Sequence, residues 1–226
     1  MNEIVIARPG LHLAVEYHAG AVSERDIAGF VDTVTTMLDA GSRFGEGQML
    51  QLGWSTLRFV AIANGALAFE ELDGSGVASR WTRGVSRTLI ATRLQRSVNE
   101  SFGLADARLA FPSLAQHSLI CTALDPDGAL FLHRLEPTGP RDSGWFFACQ
   151  REDHDHDDPA ALEHDSLYAH ACRIQAVLPF LALPIGTRVL LGPDGSVEEA
   201  YDGDGNALVV VPGSYLAERR GRTSRV

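Results

Sequence analysis

The 226 residues predict an α+β fold, built from antiparallel hairpins and a few packed helices. Three observations lead there. Alternating apolar stretches of strand length occur in both halves of the chain. Other stretches carry apolar residues at helical spacing between capping residues. Strand-like runs meet at short turn-forming sequences rather than at long crossovers. Apolar residues make up 45% of the chain, enough for a sizeable core.

The first element is "LHLAVEY", in which Leu11, Leu13, Val15 and Tyr17 share one face of a half-buried strand. A helix follows in "SERDIAGFVDTVTTMLDAG". Ser23 is its N-cap with Asp26 three residues on, Ile27, Phe30, Val31, Val34 and Leu38 form its apolar stripe, and Gly41 stops it. From Gln48 to Leu72 two strands join at Asn64-Gly65, a pair that tolerates positive φ at both central positions of a tight turn. "GVSRTLIATRLQRSVNESFG" is a second helix, with Val85, Leu89, Leu94, Val98 and Phe102 along one side and Gly103 at its end.

"HSLICTAL" and "ALFLHRL" flank Asp125-Pro126-Asp127-Gly128, the chemistry of a second hairpin. The Pro/Gly-rich stretch 136–144 is the best candidate domain boundary. Beyond it the pattern predicts a strand "WFFACQ", an acidic loop, a helix over roughly 160–178 and strands "TRVLL", "SVEEAY" and "ALVVV". The tail "ERRGRTSRV" is expected to be frayed and solvated.

Charge narrows the function. All 19 basic residues are Arg, so lysine-dependent phosphate loops, Schiff bases and Ser-Lys dyads are excluded. A net charge of −10 argues against nucleic acid and for a basic partner. No apolar run reaches membrane-spanning length, and Glu3 stands where a signal peptide carries basic charge, so a cytoplasmic protein is expected. Three well-separated cysteines, Cys121, Cys149 and Cys172, fit reduced thiols.

The densest chemistry is "REDHDHDDP", residues 151–159, with five carboxylates and two imidazoles. His154 and His156 would share a face on a strand but diverge on a helix, and so miss the i, i+4 pattern of helical metal sites. Glu163, His164 or His170 would have to complete a ligand set. Asp158-Pro159 explains one carboxylate as a helix cap. "DGDGN" at 202–206 imitates a calcium loop, yet Ala207 and Gly213 occupy the positions that demand Gly and Glu, so a turn is expected. Cys149 could pair with His154 or His156 as a dyad only if the loop folded back; a buried structural thiol is the default. Trp145, next to the loop, is a candidate interface anchor.

On these residues, 142–191 resembles a family of bacterial immunity proteins associated with polymorphic toxins. The similarity lies in the "SGWFF" strand, the "HDHDDP" loop, the helix beginning near "SLY" and "PFLALPIG" leading into a strand. "GQMLQLGW", "LAFEEL" and "LAFPSL" resemble the upstream region of longer members. The resemblance implies a protein that binds and blocks a cognate toxin without catalysis. It divides the chain into an N-terminal α+β region of unassigned role (1–140), an immunity-like module (141–215) and a flexible tail (216–226). Trp145, Asp153, His154, Asp155, His156, Asp157 and Asp158 are the expected partner-binding residues, facing a basic toxin surface. No cofactor, metal ion, nucleic acid or membrane is expected. The alternative is a metal-dependent, hydrolase-like enzyme that uses the His/Asp cluster at 153–158.

Overall fold

In the computed structural model, which describes residues 1–74 and 80–223, the chain divides into two units, Met1–Arg93 and Leu94–Val226. The fold class is α+β, as expected, with two mostly antiparallel sheets and a few helices.

The first unit opens with a hairpin, β1 (Asn2–Arg8) and β2 (Leu11–Tyr17), and β2 buries Leu13 and Val15 by alternation. Helix α1 (Glu24–Asp39) starts at Ser23, whose Oγ accepts from the Asp26 amide, and buries Ile27, Phe30, Val34 and Leu38 at turn-by-turn spacing. The Gln48–Leu72 segment contains three strands rather than two, β3 (Met49–Leu52), β4 (Ser55–Ala61) and β5 (Leu67–Leu72). The extra turn uses Gly53 at φ 59°. The expected hairpin joins β4 to β5. Asn64 (φ 63°) and Gly65 (φ 72°) are both left-handed, and the Ile62 amide closes onto Ala66 O at 2.8 Å, making the turn one residue wider than anticipated.

A short β6 (Trp81–Arg83) pairs with the second half of β5, and the sheet runs β1-β2-β5-β4-β3 with β2 and β5 parallel. Phe30, Phe59 and Phe69 pack together in its core, with ring centroids 5.2 and 4.8 Å apart. Helix α2 (Ser86–Ser101) begins in this unit. Its first turn is capped from β5: the buried Glu71 carboxylate accepts the Arg87 amide at 3.0 Å and the Thr88 amide at 2.8 Å.

The second unit carries the other six strands, β7 (His117–Cys121), β8 (Leu130–Arg134), β9 (Asp142–Cys149), β10 (Leu162–Ser166), β11 (Arg188–Leu191) and β12 (Val197–Tyr201), in the order β10-β7-β9-β8-β11-β12. Several expectations are corrected here. β7 and β8 are not a hairpin, because β9 lies between them, parallel to β7 and antiparallel to β8. β9 is buried at six of its eight positions, whereas β8 alternates, so the strand that is apolar on both faces takes a central place. Residues 135–141 connect β8 to β9 within one sheet, and the two units divide at Arg93/Leu94.

The expected helix over 160–178 is interrupted. Pro159–Ala161 is one 3₁₀ turn, β10 follows, and only Leu167–Arg173 is α-helical (α3), capped by Ser166 and continued by a 3₁₀ segment, Gln175–Phe180. β10 extends the sheet beside β7, which a helix there could not do. "ALVVV" forms no strand beyond a bridge from Tyr201 to Ala207. The Asp202–Asn206 turn closes tightly, then the chain leaves the sheet and the Val211 amide bonds Ser101 O. In the tail, Tyr215–Thr223 is helical (α4) with Leu216 buried, and 224–226 lie outside the described residues.

β9 carries a local irregularity that only glycine permits. The β7–β9 register shifts between His117 and Leu119, and Gly144 (φ 74°) lies at this shift, where a Cβ would stand 2.1 Å from Leu135 O.

Candidate functional site

Because β7 and β9 run parallel, they end at the same side of the sheet, and each ends in a cysteine. Cys121 and Cys149 are both buried, with their sulfurs 3.6 Å apart. The chain then makes the acidic loop, fixed at both ends. Gln150 Nε2 donates to Leu130 O and Leu191 O, and at the far end Thr122 donates through its amide and hydroxyl to Ala161 O.

Between these anchors the loop turns at 152–153 and bends at 156–157, and exposure alternates along it. Asp153, Asp155 and Asp157 are exposed, while His154 and His156 turn inward and are half-buried. His154 Nδ1 comes to 3.1 Å from Cys121 Sγ and 3.5 Å from Cys149 Sγ, and His156 Nε2 to 3.4 Å from Cys149 Sγ. The four side chains bring one donor atom each to within 4.8 Å of one another. The two imidazoles meet edge to face at 4.8 Å, and Phe146 packs edge-on against His156.

The loop therefore does fold back onto Cys149, the condition the sequence set for a thiol–imidazole contact, and it also meets Cys121, which no local pattern singles out. Burial, foremost, pushes the Cys149 thiol above its ordinary value, the opposite of what a nucleophilic cysteine needs. Two sulfurs and two imidazole nitrogens form a donor set of the kind borderline metals take. The alternative ligands considered from sequence do not join it: Glu163 pairs with Arg173, His164 stacks on His117, and His170 Nδ1 bonds Ser118 Oγ at 2.8 Å.

The acidic residues are placed differently from the imidazoles. Glu152, Asp153, Asp155, Asp157 and Asp158 are all exposed. Three are partly engaged within the loop. Asp153 holds Arg151 through both its oxygens at 2.9 and 2.7 Å, Asp155 accepts the Asp157 amide, and Asp158 accepts the Ala160 amide as the anticipated cap with Pro159 behind it. Both imidazoles lie beside sulfur rather than among the exposed carboxylates. The expected role of Trp145 is corrected. It is 1% exposed, stacks on Phe147, lies under Arg134 and donates its indole N–H to Leu181 O at 3.1 Å, so it is core.

Elsewhere in this unit, a cleft of about 640 Å³ opens along β7, β9 and β10, lined among others by His117, Leu135, Arg141, Asp142 and His164. Burial works to raise Asp142, but hydrogen bonds from Thr138 and Gly144 and the nearby His164 outweigh it and hold the carboxyl below its ordinary value. Arg134, buried at the base of β8, donates to Ala110 O and Leu181 O, and its burial brings its pKa down to about 10.

Residues 94–202 match the family model of the Imm33-like domain, which supports an immunity-protein family for this part of the chain. The match begins where the second unit begins and takes in all six of its strands, including both cysteine-bearing strands and the acidic loop. No curated protein and no solved structure matches the chain. Among the described residues no helix is long and apolar enough to cross a membrane.

Proposed function

We propose that the chain is a cytoplasmic immunity protein that neutralises a cognate toxin domain by binding it. The match of residues 94–202 to the Imm33-like domain carries this reading. The exposed carboxylates of Glu152, Asp153, Asp155, Asp157 and Asp158 support a basic surface on the toxin as the complement, on a chain whose net charge is −10. Such a row speeds encounter more than it deepens affinity, because exposed ion pairs contribute only about 0–1 kcal/mol each.

The metal-hydrolase alternative is not favoured. The imidazoles that were to carry it face two thiols, and four protein donors at one point leave no open position for water or substrate.

The test is to search the gene's neighbourhood for a toxin gene and to co-express the chain with that toxin's domain. Rescue of growth, together with a stable complex of purified chain and toxin, is the expected result. Replacing Asp153, Asp155 and Asp157 together with Asn should slow association at low salt and flatten its salt dependence while leaving the melting temperature nearly unchanged. Failure of the chain to rescue or to bind that toxin would refute the reading.

A further inference from the structure

We propose that Cys121 Sγ, Cys149 Sγ, His154 Nδ1 and His156 Nε2 bind one zinc ion in a closed, tetrahedral, structural site that ties the acidic loop to the ends of β7 and β9. The geometry carries this directly. A tetrahedron with Zn–S of about 2.3 Å and Zn–N of about 2.0 Å has edges of roughly 3.3–3.8 Å. The four close separations are 3.6 Å between sulfurs and 3.1, 3.5 and 3.4 Å between sulfur and nitrogen, and every donor lies within 4.8 Å of the others.

A purely hydrogen-bonded cluster explains less. Thiol S–H and ring N–H groups can satisfy such approaches pair by pair, whereas one ion at the centre accounts for the convergence of all four donors at once. The donors also come from three separate places, two strand ends and a loop that returns across them, and converge on one point. An N/S set of this composition suits zinc, which has no geometric preference of its own and accepts both ligand types.

Charge and protons balance. Binding replaces the two thiol hydrogens by the metal and releases two protons to solvent, and two thiolates with a divalent ion make a neutral centre that can lie half-buried. The exposed aspartates flanking each histidine stay outside this centre, Asp153 on Arg151 and Asp155 on the Asp157 amide. The ligand spacing differs from zinc fingers, whose cysteines come from one knuckle, because here the parallel pairing of β7 and β9 supplies the sulfur pair. The site stands whether or not the chain neutralises a toxin.

The experiment uses the full chain, purified from zinc-supplemented medium, with elemental analysis, thiol titration, and titration of the stripped protein with CoCl2. The expected result is about one equivalent of zinc. Cobalt should give the intense visible bands of a tetrahedral centre together with thiolate charge transfer. Because Cys121 and Cys149 are buried even without a metal, the informative comparison is between states: their reaction with a thiol reagent should be markedly faster in the stripped protein than in the zinc-loaded one. Cys149→Ser removes a buried group and could unfold the chain, so His156→Asn, in the loop, is the decisive variant. It should keep the fold yet lose the tetrahedral spectrum, and Cys172→Ser should retain it. Protein free of zinc with no cobalt bands would overturn the proposal. So would weak octahedral bands that vanish when the loop aspartates are replaced, or a Cys121–Cys149 disulfide in freshly purified protein.

Discussion

Glu71 gives the most direct test of how the first unit holds its second helix. The side chain is 4% exposed, and its two carboxylate oxygens accept the Arg87 and Thr88 amides at 3.0 and 2.8 Å, near the start of a 16-residue helix. Replacing it with Gln keeps the shape but turns one acceptor into a donor that faces an N–H. One hydrogen bond to a charged group is lost, and the favourable interaction with the helix dipole goes with it, for a cost of about 2–3 kcal/mol. Glu71→Leu keeps most of the volume, removes both acceptors and strands the buried Thr88 amide and the part-buried Arg87 amide, for about 3–5 kcal/mol. For a chain of this size these losses correspond to melting shifts of roughly 5–10 °C for Gln and more for Leu. Urea unfolding at neutral pH, followed by circular dichroism and repeated in about 1 M salt, measures both. The differences should persist in salt because the contact is buried. A Gln variant within about 0.5 kcal/mol of the parent, or a Leu variant no worse than the Gln variant, would refute the capping account.

Three further outcomes are expected. Trp145→Ala should destabilise the second unit by about 3–5 kcal/mol, because a fully buried indole and its hydrogen bond to Leu181 O are lost, and thermal unfolding would show it. Gly65→Val should cost about 1 kcal/mol or more, since a β-branched residue would be forced to φ 72°, and denaturant titration reads this. His170 is held below its ordinary pKa, first by burial and against the opposing pull of Glu163 and Asp165. The unfolded chain therefore takes up the proton more readily, and stability that is complete above about pH 6.5 is lost as pH falls below it, by at most about 1.4 kcal/mol per pH unit. His170→Gln should be less stable than the parent at neutral pH and should narrow that gap as pH drops, which chemical denaturation at several pH values will show.

The sequence makes some of this architecture legible and hides the rest for physical reasons. Ser23, Asp26 and the Ile27–Leu38 stripe specify α1 because a helix is written in contacts three and four residues apart. Asn64 and Gly65 specify a turn because the required φ belongs to the residues themselves. Asp125–Gly128 also forms a turn, with Asp127 N on Asp125 Oδ1, but a turn does not determine which strands pair, and β9 comes between its flanks. The inward turn of His154 and His156 is not a strand property, because the loop turns at 152–153 and bends at 156–157, so the two-residue spacing alone did not specify it. Nor was the role of Cys121 readable, because its neighbour Cys149 is 28 residues away in sequence and is brought there by parallel pairing.

The central position of β9 also bears on how the chain reaches this fold. β7 and β8 leave the ribosome first, joined by a turn-forming sequence, and are then at liberty to zip into a hairpin that the finished sheet does not contain. The native order demands that they stay apart until Asp142–Cys149 can enter between them, making a parallel pairing on one side and an antiparallel one on the other. Closing such non-local pairings comes late and slowly compared with local zipping. The two sulfurs become neighbours only at that moment, so thiol accessibility during refolding is a clock for the insertion of a single strand.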